Sequence, residues 1–431
     1  MKAVFIGISL LAAVPLVTAQ TQTVDSLRLS TLRTAALNQD PRAAQLELLA
    51  AQSALRLDNI NATLRPTLSI GGQGQYQSDV ASIPINLPGV TLPKPPHDTY
   101  DAHLEALQPI LDPTLSARRN VERAQTAESQ ARVRTALYSI TESVNTAFFT
   151  ALRSQAQAAE LETTLIDVEA QLRVADERVK AGTALHSEAN LLRAELLKRR
   201  QAIAEQNAGR RAAIGVLSDL TGKHIDPLTP LSAPDLTNAI TVVNDSSSVR
   251  NRPEYQQFQR SLDVLQHAEE ASKAQERPRV SAFGRAGYGK PGLNALRDQF
   301  ETYWLAGIQF QWNPFNWGST GRDRQVTEIQ KSIVSTEEKA FTASLRRGVE
   351  EDIASIERLD SALVQDDQII ALREDILAET RARYSEAVIT SADYIDRQTD
   401  VLAARLSRAS HRVELAQARA HLLTTLGIEV R

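Results

Sequence analysis

The chain repeats itself once. Arg65-Pro66-Thr67-Leu68-Ser69 returns as Arg277-Pro278-Arg279-Val280-Ser281, 212 positions later, and Leu217 before Gly222 returns as Leu422 before Gly427, 205 positions later. Arg178 and Arg383 stand at that same separation. A unit this long is too large for a solenoid repeat. Two copies of one structural unit are expected, at 20–222 and 251–431, with a connector at 223–250.

Within a copy the periodicity switches. Residues ~23–62 read as helix, interrupted by Pro41. At ~66–77, Leu68, Ile70, Gly72, Gly74 and Tyr76 alternate with polar residues, which is strand period. The proline-rich stretch from Ser78 to Thr99 cannot supply ladder donors and reads as loop. Alternation resumes at ~100–109 with Tyr100, Ala102, Leu104 and Ala106. From ~114 to ~221 apolar residues step by three and four, broken at Gly182, which predicts a long antiparallel helical hairpin. A rod of about 65 residues measures roughly 100 Å. The second copy repeats the order: helix ~252–275, strands ~278–289 and ~302–313, hairpin ~320–427, with Val326, Ile329, Ile333, Leu345 and Ile356 on one stripe and the turn at Ala387 to Ser391. In its second strand Trp304, Ala306, Ile308, Phe310 and Trp312 share a face. The connector, with Pro227, Pro230 and Pro234, is expected to lie irregularly on the outside of the rods.

Composition narrows the function. The chain has 431 residues and 5% aromatics, which suits long helices with narrow seams rather than thick cores. The net charge of −4 leaves no basic footprint for nucleic acid. The absence of cysteine excludes disulfides, thiolate metal sites and a lipidated cysteine. Lys2, the apolar run Ala3 to Val17 and the small residues Val17-Thr18-Ala19 predict a cleaved secretory signal at 1–19. No other run is apolar enough to predict a membrane-spanning helix. The seven histidines (97, 103, 186, 224, 267, 411, 421) form no i,i+4 ligand pair, Gly222-Lys223 lacks the first glycine of a phosphate loop, and Gly71-Gly72-x-Gly74 reads as close backbone approach within a strand. No metal, cofactor or catalytic constellation is expected.

Strands of about ten residues cross a bilayer at a tilt. Nine of the 20 aromatics lie between Phe283 and Trp317, including Trp304, Trp312 and Trp317, and tryptophans at strand ends favour a membrane–water interface. Four strands cannot close a barrel, and an open edge in lipid leaves backbone groups unpaired at several kcal/mol each. Chains must therefore share one barrel. Two would give eight strands and a filled interior, three would give twelve and a lumen.

These residues, together with Pro109-Ile110-Leu111-Asp112, Asn313-Pro314-Phe315-Asn316-Trp317-Gly318, Arg383-Tyr384-x-x-Ala387 and Asp393-Tyr394-Ile395-Asp396, resemble the TolC-type outer membrane efflux protein family over essentially all of the mature length. The resemblance implies a mostly α fold with a small β part. Long antiparallel hairpins would form a periplasmic α-barrel, and four transmembrane strands per chain would complete a shared twelve-stranded barrel in a homotrimer. It implies an exit duct in the outer membrane serving a tripartite efflux or type I secretion system, working with a periplasmic adaptor and an inner-membrane pump, without catalysis. Asp393 and Asp396 share a helix face just after the second turn and would line a pore constriction as two acidic rings, or cap the helix. Glu188 is the first-copy counterpart of Asp393. Tyr384 would bond across neighbouring helices at the tip, or pack in the seam. Ala387 stands where the family usually has glycine, and Ile389 where some relatives carry an arginine that ties the closed tip. The competing reading is a soluble periplasmic coiled-coil scaffold or adaptor, which should carry one hairpin and β halves that are missing here.

Overall fold

Each copy folds as its periodicity dictates. The computed structural model describes residues 26–81, 89, 94–237, 248–386 and 388–428, so the leader at 1–19 and Ala387 lie outside the described residues. The first copy contains α1 (Leu29–Gln39), α2 (Gln45–Ala62), β1 (Thr67–Tyr76), β2 (Asp98–Leu111), α3 (Thr114–Lys180) and α4 (His186–Thr221). The second contains α5 (Pro253–Gln275), β3 (Arg279–Lys290), β4 (Glu301–Gln311), α6 (Ser319–Ser385) and α7 (Ser391–Thr425). Pro41 ends α1, because it has no N–H to continue the ladder. Asp40 accepts from the Arg42 N–H at 2.8 Å and starts a short 3₁₀ turn. The rods α3 and α6 start and end 205 positions apart (114 to 319, 180 to 385), whereas β1 and β3 start 212 apart (67 to 279). The link between strands absorbs the difference, spanning 77–97 in one copy and 291–300 in the other.

The strands form one antiparallel sheet in the order β1-β2-β3-β4, and β2 against β3 joins the two copies. That ladder slips between Pro109 and Leu111, where proline cannot donate. Strand order continues into the helices: α2 packs on α3, α3 on α5 and α5 on α6. Farther from the sheet the return helices take over, with α4 on α3, α3 on α7 and α7 on α6. The edges β1 and β4 pair with no other strand of the chain among the described residues.

Burial separates the two rods. In α3 it extends from Thr114 to Ala175, whereas Val326, Ile329 and Ile333 on α6 are all more than half exposed. The apolar stripe expected on α6 is present, but no described element covers its first half. The main core joins Leu29, Phe148, Phe149, Leu217 and Leu423. The described part of the connector is mostly exposed, and Ile225, Leu231 and Leu236 anchor it in this core. Leu231 is buried, and the Gln155 amide brackets it, accepting from its N–H at 3.0 Å and donating to its C=O at 3.1 Å. Leu27 lies parallel to it as a one-bridge strand. Satisfying both backbone groups is what allows an irregular segment to bury a leucine.

Polar ties fix the helix array near the sheet-distal end of α1. Arg33 donates to Asn145 Oδ1 at 2.8 Å and to Thr424 Oγ1 at 3.1 Å, linking α1, α3 and α7. His421 on α7 bonds Asp352 on α6 at 2.7 Å, with Glu142 of α3 3.9 Å away. The Asp352 carboxylate raises the imidazole pKa above its ordinary value, against the effects of burial and Arg252. A raised pKa contributes stability that is present below the unfolded value of 6.5 and is lost as pH rises through the folded one. The urea midpoint should therefore fall between about pH 6 and about pH 8, and His421→Gln should flatten that slope. An equal slope in the variant would remove His421 as its source.

Candidate functional site

The sheet has two chemically different faces. Register puts Ile70, Leu104, Ala286 and Trp304 in one row, with Leu68, Ala106, Gly284 and Ala306 in the next row on the same side. Ile70 is 88% exposed, Trp304 76% and Ile308 72%. A continuous apolar face this open is a liability in water and a requirement in lipid. The other face carries Ser69, Gln73, Asp101, His103, Glu105, Arg285 and Tyr303. Arg285 Nε donates to Glu105 at 2.8 Å across β2 and β3, and Asp101 accepts from both His103 and Tyr303.

Aromatic rings gather at both ends of the sheet. At the loop end Phe300 stacks on Tyr288 (5.4 Å) and Tyr100 (6.1 Å), and Tyr76 on His97 (6.1 Å). At the helix end Trp317 packs edge-on to Phe315 at 4.9 Å. Trp304 sits on the apolar face within β4. Trp312 continues the alternation of that face one residue beyond the end of β4 at Gln311, and its Nε1 donates to the Glu276 carbonyl at 2.9 Å. The rings of the loop-end cluster come from four separate segments, so no local spacing marks it.

The opposite end of the molecule is the pair of helical turns. The first turn closes with Gly182 at φ +71° and a bond from the Thr183 N–H to the Arg178 carbonyl at 2.9 Å. The second carries the equivalent bond from Val388 to Arg383 at 3.0 Å. Arg178 crosses between the hairpins, donating to the Ser385 carbonyl at 3.1 Å, with its guanidinium 5.7 Å from the Tyr384 ring centroid. Tyr384 is 4% exposed and stacks on Tyr394 at 5.2 Å. Its hydroxyl is buried without a hydrogen-bond partner among the described residues, so stacking holds it within this chain. Burial, and then the nearby Glu188, raise its pKa.

Asp393 and Asp396 are both exposed on α7, one turn apart. Asp393 completes a capping box: its carboxylate accepts from the Thr390 N–H at 3.1 Å and hydroxyl at 2.7 Å, and its N–H donates back to Thr390 Oγ1 at 3.3 Å. Those bonds hold its pKa below the ordinary carboxylate value. Asp396 has no ion-pair or hydrogen-bond partner among the described residues. Glu188, half-buried near the start of α4, stands close enough to Tyr384 to act on its hydroxyl electrostatically. The turns thus bring Glu188, Arg178, Tyr384 and Tyr394 together, and leave the two aspartates exposed. No group of three or more His, Asp or Glu side chains is arranged to hold a metal among the described residues, and no described helix is long and apolar enough to cross a membrane.

Residues 32–223 match the model of the outer membrane efflux protein family. No curated protein sequence matches the chain. Among solved structures, CusC superposes with a TM-score of 0.69 at 16% identity over 93% of this chain and 92% of that one. VceC from Vibrio cholerae gives 0.65 at 14% over 94% and 97%. The open-state MtrE outer membrane channel of Neisseria gonorrhoeae gives 0.65 at 18% over 94% and 90%. At these identities the likeness concerns the fold. Residues 32–223 thus carry the sequence pattern of the outer membrane efflux proteins, and the described length shares the fold of the CusC, VceC and MtrE chains.

Proposed function

We propose that this chain is one third of a passive exit duct: a trimer whose twelve strands close a barrel in the outer membrane and whose helices continue as a periplasmic tunnel. The observation that supports this reading best is the four-stranded sheet itself, with both edges unpaired, one face apolar and exposed, and a row of helices in the same order as the strands. In lipid, β4 of one chain must find β1 of the next. The uncovered stripe Val326, Ile329 and Ile333 on α6 lies on the same edge as β4, where a sister chain would cover it. A soluble scaffold would have no use for so large an apolar surface. The turns form the far mouth, where an adaptor and an inner-membrane pump of a tripartite efflux or type I secretion system would dock.

At that mouth, three copies of Asp393 and Asp396 would form two acidic rings that narrow the pore and bind cations. Purified protein should behave as a detergent-soluble trimer that conducts in planar bilayers. Asp393→Ala with Asp396→Ala should raise single-channel conductance severalfold and weaken block by polyvalent cations. Thr390→Ala, which removes the cap but keeps the charge, should cost about 1 kcal/mol of helix-end stability and leave the block in place. Unchanged conductance and block in the double variant would take both aspartates out of the constriction, and a protein released as a water-soluble monomer would end the duct reading.

A further inference from the structure

We infer that one row of side chains, Gly71–His103–Gly287–Tyr303, sets the bore of the barrel by holding its two rings flat against the wall. The inference rests on the duct reading, which makes the polar face of the sheet the lumen.

The four residues are register partners across the whole sheet: Gly71 opposite His103, His103 opposite Gly287, and Gly287 opposite Tyr303. Large and absent side chains alternate from strand to strand. Each ring leans over the glycine beside it. A Cβ built on Gly71 would lie 2.7 Å from His103 Nε2, and one on Gly287 would lie 2.5 Å from Tyr303 Cζ. Real side chains do not approach that closely, so the rings occupy the space that any other residue at these positions would fill. Asp101, one step along β2 on the same face, accepts from Tyr303 and from His103 and anchors both rings in that pose. The His103 side chain is accordingly only 18% exposed, even though no helix or loop is needed to cover it.

Upright, each tyrosine and histidine would project from the wall into the lumen, three of each per trimer. Laid flat over glycine, they leave it open. Gly71 and Gly287 are thus positioning residues, and His103 and Tyr303 are the groups that a passing solute meets.

The test is the largest poly(ethylene glycol) that enters the channel from the barrel mouth, measured in planar bilayers on trimers verified by gel. Gly287→Ala should displace the Tyr303 ring and shift the cutoff to smaller polymers. Adding Tyr303→Ala should restore it. Tyr303→Ala alone, which leaves the glycine untouched and decides the matter if Gly287→Ala fails to assemble, should shift the cutoff to larger polymers. Since the chain has no cysteine, Tyr303→Cys should also react with a membrane-impermeant thiol reagent added at the barrel mouth. Conducting trimers whose cutoff is unchanged by Tyr303→Ala would overturn this inference and leave the duct intact. A protein that forms no channel would overturn the duct reading and this inference with it.

Discussion

Leu104→Arg is expected to abolish the proposed membrane-inserted trimer. Leu104 sits near the middle of β2, between Ile70 of β1 and Ala286 of β3, on the apolar face. An arginine facing lipid near the bilayer midplane costs about 2–4 kcal/mol per site, so a trimer carries roughly three times that. No nearby carboxylate relieves it, because Asp101 and Glu105 point to the opposite face. The trimer band on an unheated gel and the yield in the membrane fraction report the loss. Gln73→Arg, on the polar face of β1, is the control and should assemble normally. An undiminished Leu104→Arg trimer would mean that this face does not meet lipid.

Phe148→Ala is expected to be the most destabilising single truncation in the helical part. The ring is fully buried and packs edge-on to Phe149 at 5.3 Å. It lies in the cluster where Leu29 of α1, Leu217 of α4 and Leu423 of α7 meet α3. Emptying such a site costs about 3–5 kcal/mol per chain, the lost transfer energy plus the cavity left behind. The urea midpoint of the detergent-solubilised protein should fall accordingly, and Phe148→Leu should recover much of the loss. A cost under about 1 kcal/mol would mean that the four helices do not close on this residue.

Much of this architecture is legible along the chain because it is local. Strand period and helix period alternate, and proline and glycine mark the breaks at Pro41, Gly182 and Gly222. The duplicated order also makes each copy a check on the other. What the periods do not carry is the identity of the covering surface. Val326, Ile329 and Ile333 have the spacing of a buried seam, yet they stand uncovered within the chain, because a stripe specifies a face and not its partner. Leu231 sits among prolines that signal a loop, yet it is buried, because the Gln155 side chain 76 positions away meets its backbone groups. The aspartates illustrate a third limit. Both the capping role and the pore role were open from spacing alone, and the capping box at Thr390 is compatible with either.

By itself, then, the sequence determined the parts: two copies, four alternating strands, paired rods of equal length, and the residue types on each face. Only the tertiary structure decided which residues stand opposite one another. Gly71, His103, Gly287 and Tyr303 are scattered over more than 200 positions, and loops of unequal length separate their strands, so no fixed offset relates them. Their alignment follows from ladder hydrogen bonds between distant strands, and a one-residue slip would turn every one of those side chains to the other face.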